Sequence, residues 1–335
     1  MNHSCHERRN RMIHQPPFPN LSGIVLAAGE GKRLRPLVRR WRGDDLPKQY
    51  VPFTGDRSML EQTFKRAERL ISPDRLFTVV DRRHLVYPEV WRQLLSRPRG
   101  TVVFQPENRE TGPGILLPLI HLYKRDPEAT VVIFPSDHFI REEGLFMDHV
   151  DLAARLISED SSRLILLGIQ PNGPDPEYGY ILSDGEIPRL IPSGVRRVTR
   201  FVEKPTPRAA SELVRQGGLW NTMVMVVKAK RLLALTRKAA PALADAFDQI
   251  LCTIGNPEES HTLERLYRDL PTVNFSKGLL EIFPLQDPAA VAVLPVRGVY
   301  WSDWGSIHRV VSDLREMGQL GRYGSITEDE YLVAS

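Results

Sequence analysis

The sequence predicts an α/β fold in which a mostly parallel sheet is flanked by helices. From residue 21 onwards, short apolar runs that suit buried strands alternate with longer amphipathic stretches that suit helices. The intervals between successive apolar runs leave room for a helix, which is typical of βαβ units and of a parallel sheet. With 335 residues, the chain is long enough to bury a large core.

The alternation is clearest in the first half of the chain. The predicted strands are residues 24–28, 76–80, 101–105, 130–134 and 164–169. The predicted helices between them are residues 59–71, 87–96, 115–124 and 146–159. Ligands of such sheets bind at the carboxyl ends of the strands, so the loops there are where a site is expected.

The pattern changes after residue 170. The segments YGYILS and RRVTRFVEKP alternate apolar and polar residues, which predicts strands. Further strands are predicted at 221–227 and 291–295. Helices are predicted at 207–216, from the end of the strand 221–227 to about residue 269, and at 306–317. We therefore divide the chain into an N-terminal extension (1–20), one domain (21–318) and a C-terminal tail (319–335).

Composition narrows the range of functions. The net charge of +4 is spread along the chain, and no zinc-finger, RRM or KH signature is present, so no nucleic-acid partner is expected. Two cysteines cannot form a disulfide framework, which favours a reducing compartment. No apolar run approaches the length of a membrane span. The first twenty residues lack the apolar stretch of a secretory signal, so we expect a cytoplasmic protein, with Met12 as an alternative start to Met1.

The segment LAAGEGKRLRP, residues 26–36, joins an apolar strand to two glycines and three cations. It does not fit the dinucleotide-binding fingerprint, because Leu34 stands where the third glycine belongs. It does not fit the ATPase P-loop either, because Arg33 stands where a serine or threonine is required. Glycines let backbone N–H groups approach phosphate oxygens closely, and cations neutralise them. The segment is either a phosphate-binding loop or an ordinary turn with solvated cations.

Several polar side chains follow predicted strands. Asp137 in FPSDH and Asp303 in WSDWGS could meet at one sheet edge and bind magnesium, unless each caps a helix. In FVEKP, Glu203 and Lys204 suit a sugar phosphate, or form a surface ion pair. Gln105 ends a strand with an amide that could read a base edge. His138 shows no catalytic partner in the sequence, and we expect it to be structural.

Eight segments taken in chain order resemble the sugar-phosphate nucleotidyltransferases, and among them the mannose-1-phosphate guanylyltransferases. The segments are LAAGEGKRLRPL, PKQY, QPENRETGPG, FPSDH, PEYGYI, FVEKP, WNT and WSDWGS, spanning about residues 22–310. The resemblance implies a Rossmann-like, glycosyltransferase-A-like nucleotidyltransferase fold with an inserted sugar-binding part and C-terminal helices. Residues 21–170 would mainly bind the nucleotide, and residues 171–310 mainly the sugar phosphate.

The resemblance also implies a reaction and the residues that perform it. A sugar 1-phosphate would attack the α-phosphorus of an NTP in the presence of Mg²⁺, giving an NDP-sugar and pyrophosphate, with GTP and mannose 1-phosphate as the expected substrates. The implied catalytic residues are Arg33 and Lys48, and the implied magnesium ligands are Asp137 and Asp303. The implied nucleotide-binding residues are Leu26, Ala27, Gly29, Gly31, Lys32, Gln105 and Gly112. The implied sugar-phosphate-binding residues are Gly179, Glu203, Lys204 and Asn221. A homodimer is expected by the same resemblance.

Three departures from the family pattern bear on the substrate. Met223 stands where relatives have a glycine after W-N-[ST], Glu110 replaces an asparagine, and Ser276-Lys277 replace Asp-Tyr. These differences keep open the same chemistry with another NTP, or with glucose 1-phosphate or a heptose 1-phosphate. A non-catalytic nucleotide-sugar-binding regulatory protein is the alternative of another class.

Overall fold

The structure is a computed structural model that describes residues 20–187 and 193–323. The predicted N-terminal extension, apart from its last residue, and most of the predicted tail lie outside the described residues. Among the described residues, no helix combines the length and the apolar character that a membrane crossing requires.

The first part of the chain forms a parallel sheet. Its strands are β1 (Leu21–Leu26), β2 (Leu76–Asp81), β3 (Val102–Gln105) and β4 (Thr130–Pro135). They lie in the order β3-β2-β1-β4, and every neighbouring pair is parallel. The helices of this part are α1 (Arg35–Arg42), α2 (Met59–Ala67), α3 (Pro88–Leu95) and α4 (Thr111–Arg125).

The second part adds seven strands and seven helices to the described chain. The strands are β5 (Phe139–Ile140), β6 (Leu164–Ile169), β7 (Gly179–Glu186), β8 (Arg196–Glu203), β9 (Leu219–Lys228), β10 (Val291–Val296) and β11 (Trp301–Ser302). The helices are α5 (Glu143–Glu159), α6 (Pro207–Arg215), α7 (Ala229–Ala239), α8 (Pro241–Thr253), α9 (Glu259–Asp269), α10 (Phe283–Gln286) and α11 (Ile307–Glu316). The short strands β5 and β11 pair with each other in a separate antiparallel ribbon.

One nine-stranded sheet runs through both parts, in the order β3-β2-β1-β4-β9-β6-β10-β8-β7. Strand β9 lies between β4 and β6 and is antiparallel to both, whereas β10 is parallel to β6. A further pairing of β9 with β7 closes a ring of five strands. The predicted α/β class with flanking helices is therefore confirmed. The sheet is parallel from β3 to β4 and mixed beyond. The division into two halves stays a prediction.

Two layers of apolar side chains cover the two faces of this sheet. Successive residues of a strand point to opposite faces, and Ile24 and Val25 of β1 accordingly belong to different buried clusters. Helices α2, α5 and α11 contribute to one cluster, and α4, α7, α8 and α9 to the other. This three-layer packing leaves the strand ends free to carry the site.

Two element boundaries differ from the predicted ones near the site. Strand β1 ends at Leu26, two residues before its predicted end, because the side chains of residues 49 and 50 donate hydrogen bonds to the Ala27 carbonyl. Helix α4 begins at Thr111, four residues early, and includes Pro113 in its first turn. Proline is tolerated there because the first N–H groups of a helix have no helical acceptor.

Candidate active site

The glycine loop after β1 is held in place by hydrogen bonds from the side chains of Gln49 and Tyr50. The Gln49 side-chain amide donates to the carbonyls of Ala27 (2.9 Å) and Gly29 (2.7 Å). The Tyr50 hydroxyl donates to the same Ala27 carbonyl at 3.0 Å. Gly31 has a φ of 58°, a left-handed conformation that glycine adopts without strain. The loop is therefore preorganised at the carboxyl end of β1.

A cleft of about 380 Å³ opens between this loop and the ends of the parallel strands. Eight residues predicted from the sequence line it: Leu26, Gly29, Gly31, Lys32, Arg33, Lys48, Gln105 and Asp137. Ala27 is fully buried beneath the loop. The cleft also has lining residues that sequence reasoning did not assign to it, among them Glu30, Asn108, Thr111 and Gly305.

Gly112 does not line the cleft. Its N–H donates to the carbonyl of Val273 at 2.8 Å, and a side chain at this position would meet that oxygen at 2.7 Å. The neighbouring positions Thr111 and Gly114 face the cleft instead. The absence of a side chain at Gly112 thus serves the close packing of α4 against the segment around residue 273.

Gln105 closes the cleft at the end of β3. Its side chain is only 1% exposed, and its Oε1 is buried without a hydrogen-bond partner among the described residues. A buried polar atom of this kind costs free energy unless a ligand or water pairs with it. Gln105 is therefore well placed for the predicted recognition of a base.

Lys48 is a buried cation that links the two acidic loops. Its Nζ lies 3.0 Å from Asp137 Oδ2 and donates to the carbonyls of Asp303 (2.7 Å) and Trp304 (3.1 Å). Only 7% of the residue is exposed. The three oxygen partners compensate the cost of burying the charge and place the ammonium group at the cleft wall.

Asp303 is surrounded by cations. Its Oδ1 accepts hydrogen bonds from Arg309 Nη1 at 2.7 Å and from the Gly305 N–H at 2.8 Å, and its Oδ2 lies 4.0 Å from Arg33 Nη2. Burial alone would raise the pKa of Asp303, but the charges of Lys48 and Arg309 hold it below its ordinary value. Asp303 is therefore ionised at neutral pH.

The donor set fits the predicted magnesium ion. Lys48 Nζ contacts the carboxylate of Asp137 and the backbone carbonyl of Asp303, so the two acidic residues lie on either side of one ammonium group. Both carry carboxylate oxygens, and oxygen is the ligand type that Mg²⁺ prefers. The described residues contain no group of three or more His, Cys, Asp or Glu side chains that would form an all-protein metal site. Two carboxylates that leave the remaining positions to water and substrate phosphates are typical of Mg²⁺ in phosphoryl-transfer sites.

His138 is placed for a structural role, as the sequence predicts. Its Nδ1 accepts a hydrogen bond from Trp301 Nε1 at 3.3 Å, and its ring meets the Trp301 ring edge-on at 5.2 Å. Burial lowers the pKa of His138. The imidazole is therefore neutral and anchors β11.

Two carboxylates before β7 hold the arginines of the site, and sequence reasoning missed both. Glu177 forms an ion pair with Arg33, and Asp175 forms one with Arg309. The Arg309 guanidinium also lies over the Tyr178 ring, 4.3 Å from its centroid. Both acids lie in PDPEYGYI, which overlaps the segment PEYGYI that resembles the family pattern. Their position in the sequence could therefore have indicated a role in the site.

The four predicted sugar-phosphate residues are brought together by strand pairing. Gly179 pairs with Glu203 across β7 and β8, Tyr180 pairs with Trp220, and Asn221 follows directly on β9. A side chain at Gly179 would lie 2.6 Å from Glu203 Oε2, so glycine is required for this approach. Lys204 follows at the end of β8 with a φ of 47°.

Glu203 is the sugar-phosphate residue whose charge interacts with a residue of the cleft, Glu110. Burial raises the pKa of Glu203, the nearby Lys204 lowers it, and the neighbouring carboxylates Glu281 and Glu110 raise it further. Glu281 Oε1 accepts the backbone N–H of Glu203 at 2.8 Å. Glu110 lines the cleft, whereas the four predicted sugar-phosphate residues do not, so these four form a separate group whose charge interacts with one cleft residue.

The segment NFSKG, residues 274–278, which carries the Ser276-Lys277 departure, contacts the other two departures. The Ser276 hydroxyl donates to the Met223 sulfur at 3.2 Å, and the Asn274 amide donates to Glu110 Oε2 at 3.3 Å. Met223 and Glu110 both have positive φ, 57° and 71°, which is rare for residues other than glycine. The departures therefore reshape one continuous wall beside the sugar-phosphate residues.

Comparison with known proteins places the chain in a family. Residues 22–317 match the family described as Nucleotidyl transferase. The chain is 31% identical over 297 residues to the xanthan biosynthesis protein XanB of Xanthomonas campestris pv. campestris, covering 88% of this chain and 60% of that protein. It is 27% identical over 298 residues to mannose-1-phosphate guanylyltransferase 2 of Escherichia coli O157:H7, covering 84% and 58%. The chain thus spans about three fifths of the length of these relatives.

A solved structure shares the fold. The crystal structure titled mannose-1-phosphate geranyltransferase from Thermus thermophilus superposes with a TM-score of 0.72 at 27% identity, covering 88% of this chain and 79% of that one. The match over residues 22–317 includes the glycine loop, both acidic loops and the strands that carry the sugar-phosphate residues. The chain therefore belongs to the nucleotidyl transferase family.

Proposed function

We propose that this chain transfers a nucleotidyl group from an NTP to a sugar 1-phosphate in the presence of Mg²⁺, with GTP and mannose 1-phosphate as the substrates. The observation that carries this proposal is that Arg33, Lys48 and Asp137 line one cleft, with the Asp303 carboxylate 4.0 Å from Arg33 Nη2. Family membership and relatives named mannose-1-phosphate guanylyltransferase support the same chemistry.

The reaction requires positioning and charge screening more than proton transfer. The second pKa of a phosphate monoester is about 6, so the sugar phosphate is already a nucleophile at neutral pH. One of its oxygens forms a bond to the α-phosphorus while the bond between that phosphorus and the pyrophosphate oxygen breaks. Alignment of two mutually repelling anions is therefore the main task of the site.

The residues of the cleft suit this task. Arg33 and Lys48 face the β- and γ-phosphates and stabilise the negative charge of the departing pyrophosphate. Bound by Asp137 and Asp303, Mg²⁺ supplies further screening of that charge. Gln105 pairs its free oxygen with the base. Its acceptor suits a guanine N–H.

The opposite wall suits the sugar phosphate. Lys204 binds its phosphate, while Glu203 and Asn221 accept and donate hydrogen bonds to sugar hydroxyls. The ion pairs of Arg33 with Glu177 and of Lys48 with Asp137 neutralise the site when it holds no ligand. Asp137 would release Lys48 to hold a metal ion, and Arg33 would release Glu177 to bind the triphosphate, so both ion pairs would open when the substrate complex binds.

The same chemistry with a different substrate pair is the second candidate. It is favoured by the contact of Met223 with Ser276 and by the charge of Glu110 beside Glu203. A thioether and an additional carboxylate change both the space and the charge that a sugar meets. Homodimer formation and cytoplasmic location stay predictions.

Pyrophosphate release tests the proposal. Purified protein with Mg²⁺ is assayed with GTP, ATP, UTP, dTTP and CTP, each combined with the 1-phosphates of mannose, glucose, fucose, N-acetylglucosamine and a heptose. We expect release with GTP and mannose 1-phosphate, and none after addition of a chelator. Release with another pair would keep the chemistry and replace the substrates. A folded protein that binds nucleotide but releases no pyrophosphate with any pair would contradict the proposal and favour a regulatory role.

A further inference from the structure

Asp313 on α11 is a buried carboxylate with a specific partner for each oxygen. Its Oδ1 accepts a hydrogen bond from the Tyr300 hydroxyl at 2.5 Å, and its Oδ2 accepts one from Trp304 Nε1 at 2.6 Å. Only 3% of the residue is exposed, and it does not line the cleft. Hydrogen bonds to a charged acceptor are among the stronger and more directional ones. Asp313 therefore fixes the orientation of the Trp304 ring.

Trp304 has a backbone conformation that residues other than glycine rarely adopt. Its φ is 45°, and its side chain is 1% exposed. The ring stacks on Phe139 with 4.8 Å between centroids and meets Phe53 edge-on at 5.5 Å. Such a conformation persists only where the surroundings impose it. The two rings and the bond to Asp313 are the surroundings that impose it here.

This strained turn presents the groups of the active site. The carbonyls of Asp303 and Trp304 are two of the oxygens that hold Lys48 Nζ. The Asp303 carboxylate precedes Trp304 by one residue and accepts the N–H of Gly305, which follows it. A change in the Trp304 backbone would therefore rotate the Asp303 carboxylate and both carbonyls relative to Lys48.

We propose that Asp313 is a positioning residue for nucleotidyl transfer. By anchoring the Trp304 indole, it maintains the strained turn that directs Asp303 and Lys48 towards the phosphates. This inference rests on the proposed function, because Asp303 and Lys48 are given their roles there.

The test compares Asp313→Ala with Asp313→Asn in the full chain. Alanine removes both hydrogen bonds, whereas the asparagine amide can accept from Trp304 and donate to the Tyr300 oxygen. A displacement of about 1 Å can cost about a hundredfold in rate. We expect kcat of Asp313→Ala to fall by about ten- to a hundredfold. The KM for the sugar 1-phosphate stays within about twofold, and the Mg²⁺ concentration for half-maximal rate rises. Asp313→Asn should stay within about threefold of the unaltered kcat.

Two further variants separate positioning from general stability. Asp126→Ala removes a carboxylate that pairs with Arg75 at the amino end of β2, far from the cleft, and should lower Tm without lowering kcat. Trp304→Phe keeps an aromatic ring but removes the indole N–H, and should lower kcat as Asp313→Ala does. It replaces Asp313→Ala if that variant does not fold.

Two results would overturn the proposal. One is an unchanged kcat in a folded Asp313→Ala or Trp304→Phe variant. The other is a loss in Asp313→Asn as large as in Asp313→Ala, which would make the charge, and not the hydrogen bonds, the cause. If the unaltered chain releases no pyrophosphate with any pair, the proposed function fails, and crystal structures decide the positioning claim. Loss of the Lys48 bonds to both carbonyls in Asp313→Ala would support it, and an unchanged turn would overturn it.

Discussion

Each functional charge of the cleft already has a partner of opposite sign. Lys48 contacts Asp137, and Arg33 and Arg309 contact Glu177 and Asp303. These pairs lower the cost of holding like charges close together. On the proposed function, a carboxylate that only competes with phosphate, such as Glu177, should have the opposite effect on substitution from one that binds the metal, such as Asp137.

The metal assignment of Asp137 and Asp303 predicts a large loss of activity without unfolding. Asp137→Asn and Asp303→Asn keep the size of each side chain but remove the charge that would bind Mg²⁺. We expect kcat to fall by at least about a hundredfold, the usual cost of losing one electrostatic stabiliser of a transition state. The measurement is pyrophosphate release as a function of Mg²⁺, with a thermal melt to verify folding.

Asp184→Asn is the matched control for these variants, because Asp184 is an exposed acid paired with Arg197 outside the cleft. It should leave kcat unchanged. Near-normal activity in either Asp137→Asn or Asp303→Asn would remove the metal assignment for that residue.

Substitution of Glu177 should improve binding of the NTP, in contrast to the loss of activity expected for the Asp137 and Asp303 variants. The Glu177 carboxylate pairs with Arg33, and both side chains are about half exposed. Exposed ion pairs contribute about 0.2–1 kcal/mol, so their loss can change an affinity by up to about fivefold. Because the triphosphate must displace Glu177, we expect Glu177→Gln to lower the KM for the NTP by about two- to fivefold with an unchanged kcat.

Glu212→Gln on α6 is the control for this measurement, since Glu212 pairs with the exposed Arg215. A higher KM for the NTP in Glu177→Gln would show that Glu177 assists binding and does not compete with it.

At the scale of secondary-structure elements, strand β9 is interrupted where it carries the sugar-phosphate residues. Its pairing with β6 shifts register between Leu166 and Gly168. The shift is stabilised by side chains, because Thr222 donates to the Leu167 carbonyl at 2.7 Å and Asn221 Oδ1 accepts the Met223 N–H at 3.1 Å. Bulges of this kind redirect side chains next to functional sites.

Substitution of Met223, which lies in this bulge, should affect stability and substrate choice separately. Met223→Gly and Met223→Ala both remove the thioether that contacts Ser276, but only glycine adopts the φ of 57° without strain. We expect the glycine variant to be about 1 kcal/mol more stable than the alanine variant. Both variants should change the ratio of kcat/KM between sugar 1-phosphates while leaving the KM for the NTP unchanged. Denaturant unfolding and the substrate grid measure the two effects.

An unchanged ratio in both Met223 variants would mean that this side chain does not face the sugar. In that case Glu110, the other departure with a positive φ, becomes the residue to vary.

The elements that could be predicted from the sequence are those with a strong local pattern. The strand at 164–169 has the predicted bounds, and β2, β4 and β10 differ from them by one residue. The direction of β9 could not be predicted, because a strand buried on both faces has the same apolar pattern in parallel and antiparallel neighbourhoods. The positions of Asp137, Gln105 and Lys48 followed from strand ends and resemblance. Glu177 and Arg309 were missed because their partners lie more than 100 residues away in sequence.

At the scale of the whole molecule, one sheet carries both halves of the site. Strand β4 leads to Asp137, and its neighbour β9 contains Asn221. Strand β6 lies between β9 and β10, and β10 leads towards Asp303. Neighbouring strands of the nine-stranded sheet are hydrogen-bonded to each other, so the predicted nucleotide and sugar-phosphate residues keep a fixed spacing. A fixed spacing suits the proposed transfer between two bound substrates.

Buried histidines predict how the stability of the whole molecule depends on pH. Burial lowers the pKa of His84 and of His121 below the ordinary value of about 6.5. The unfolded chain therefore takes up protons at these residues before the folded protein does. The stabilisation is complete above about pH 6.5 and is lost as the pH falls below it. Each histidine contributes a slope of up to about 1.4 kcal/mol per pH unit.

We expect the free energy of unfolding to fall by about 1–3 kcal/mol between pH 7.5 and pH 5.5. Urea titrations in the presence of a chelator, at pH 7.5, 6.5 and 5.5, measure it without a contribution from bound metal. His121→Gln should reduce the dependence by about a third, because it removes one of three buried histidines with a lowered pKa, the third being His138. Equal stability at the three pH values, or a dependence that His121→Gln leaves unchanged, would contradict this assignment. Carboxylates such as Asp303 do not contribute to the dependence in this pH range, because their lowered pKa makes their stabilisation disappear only at more acidic pH.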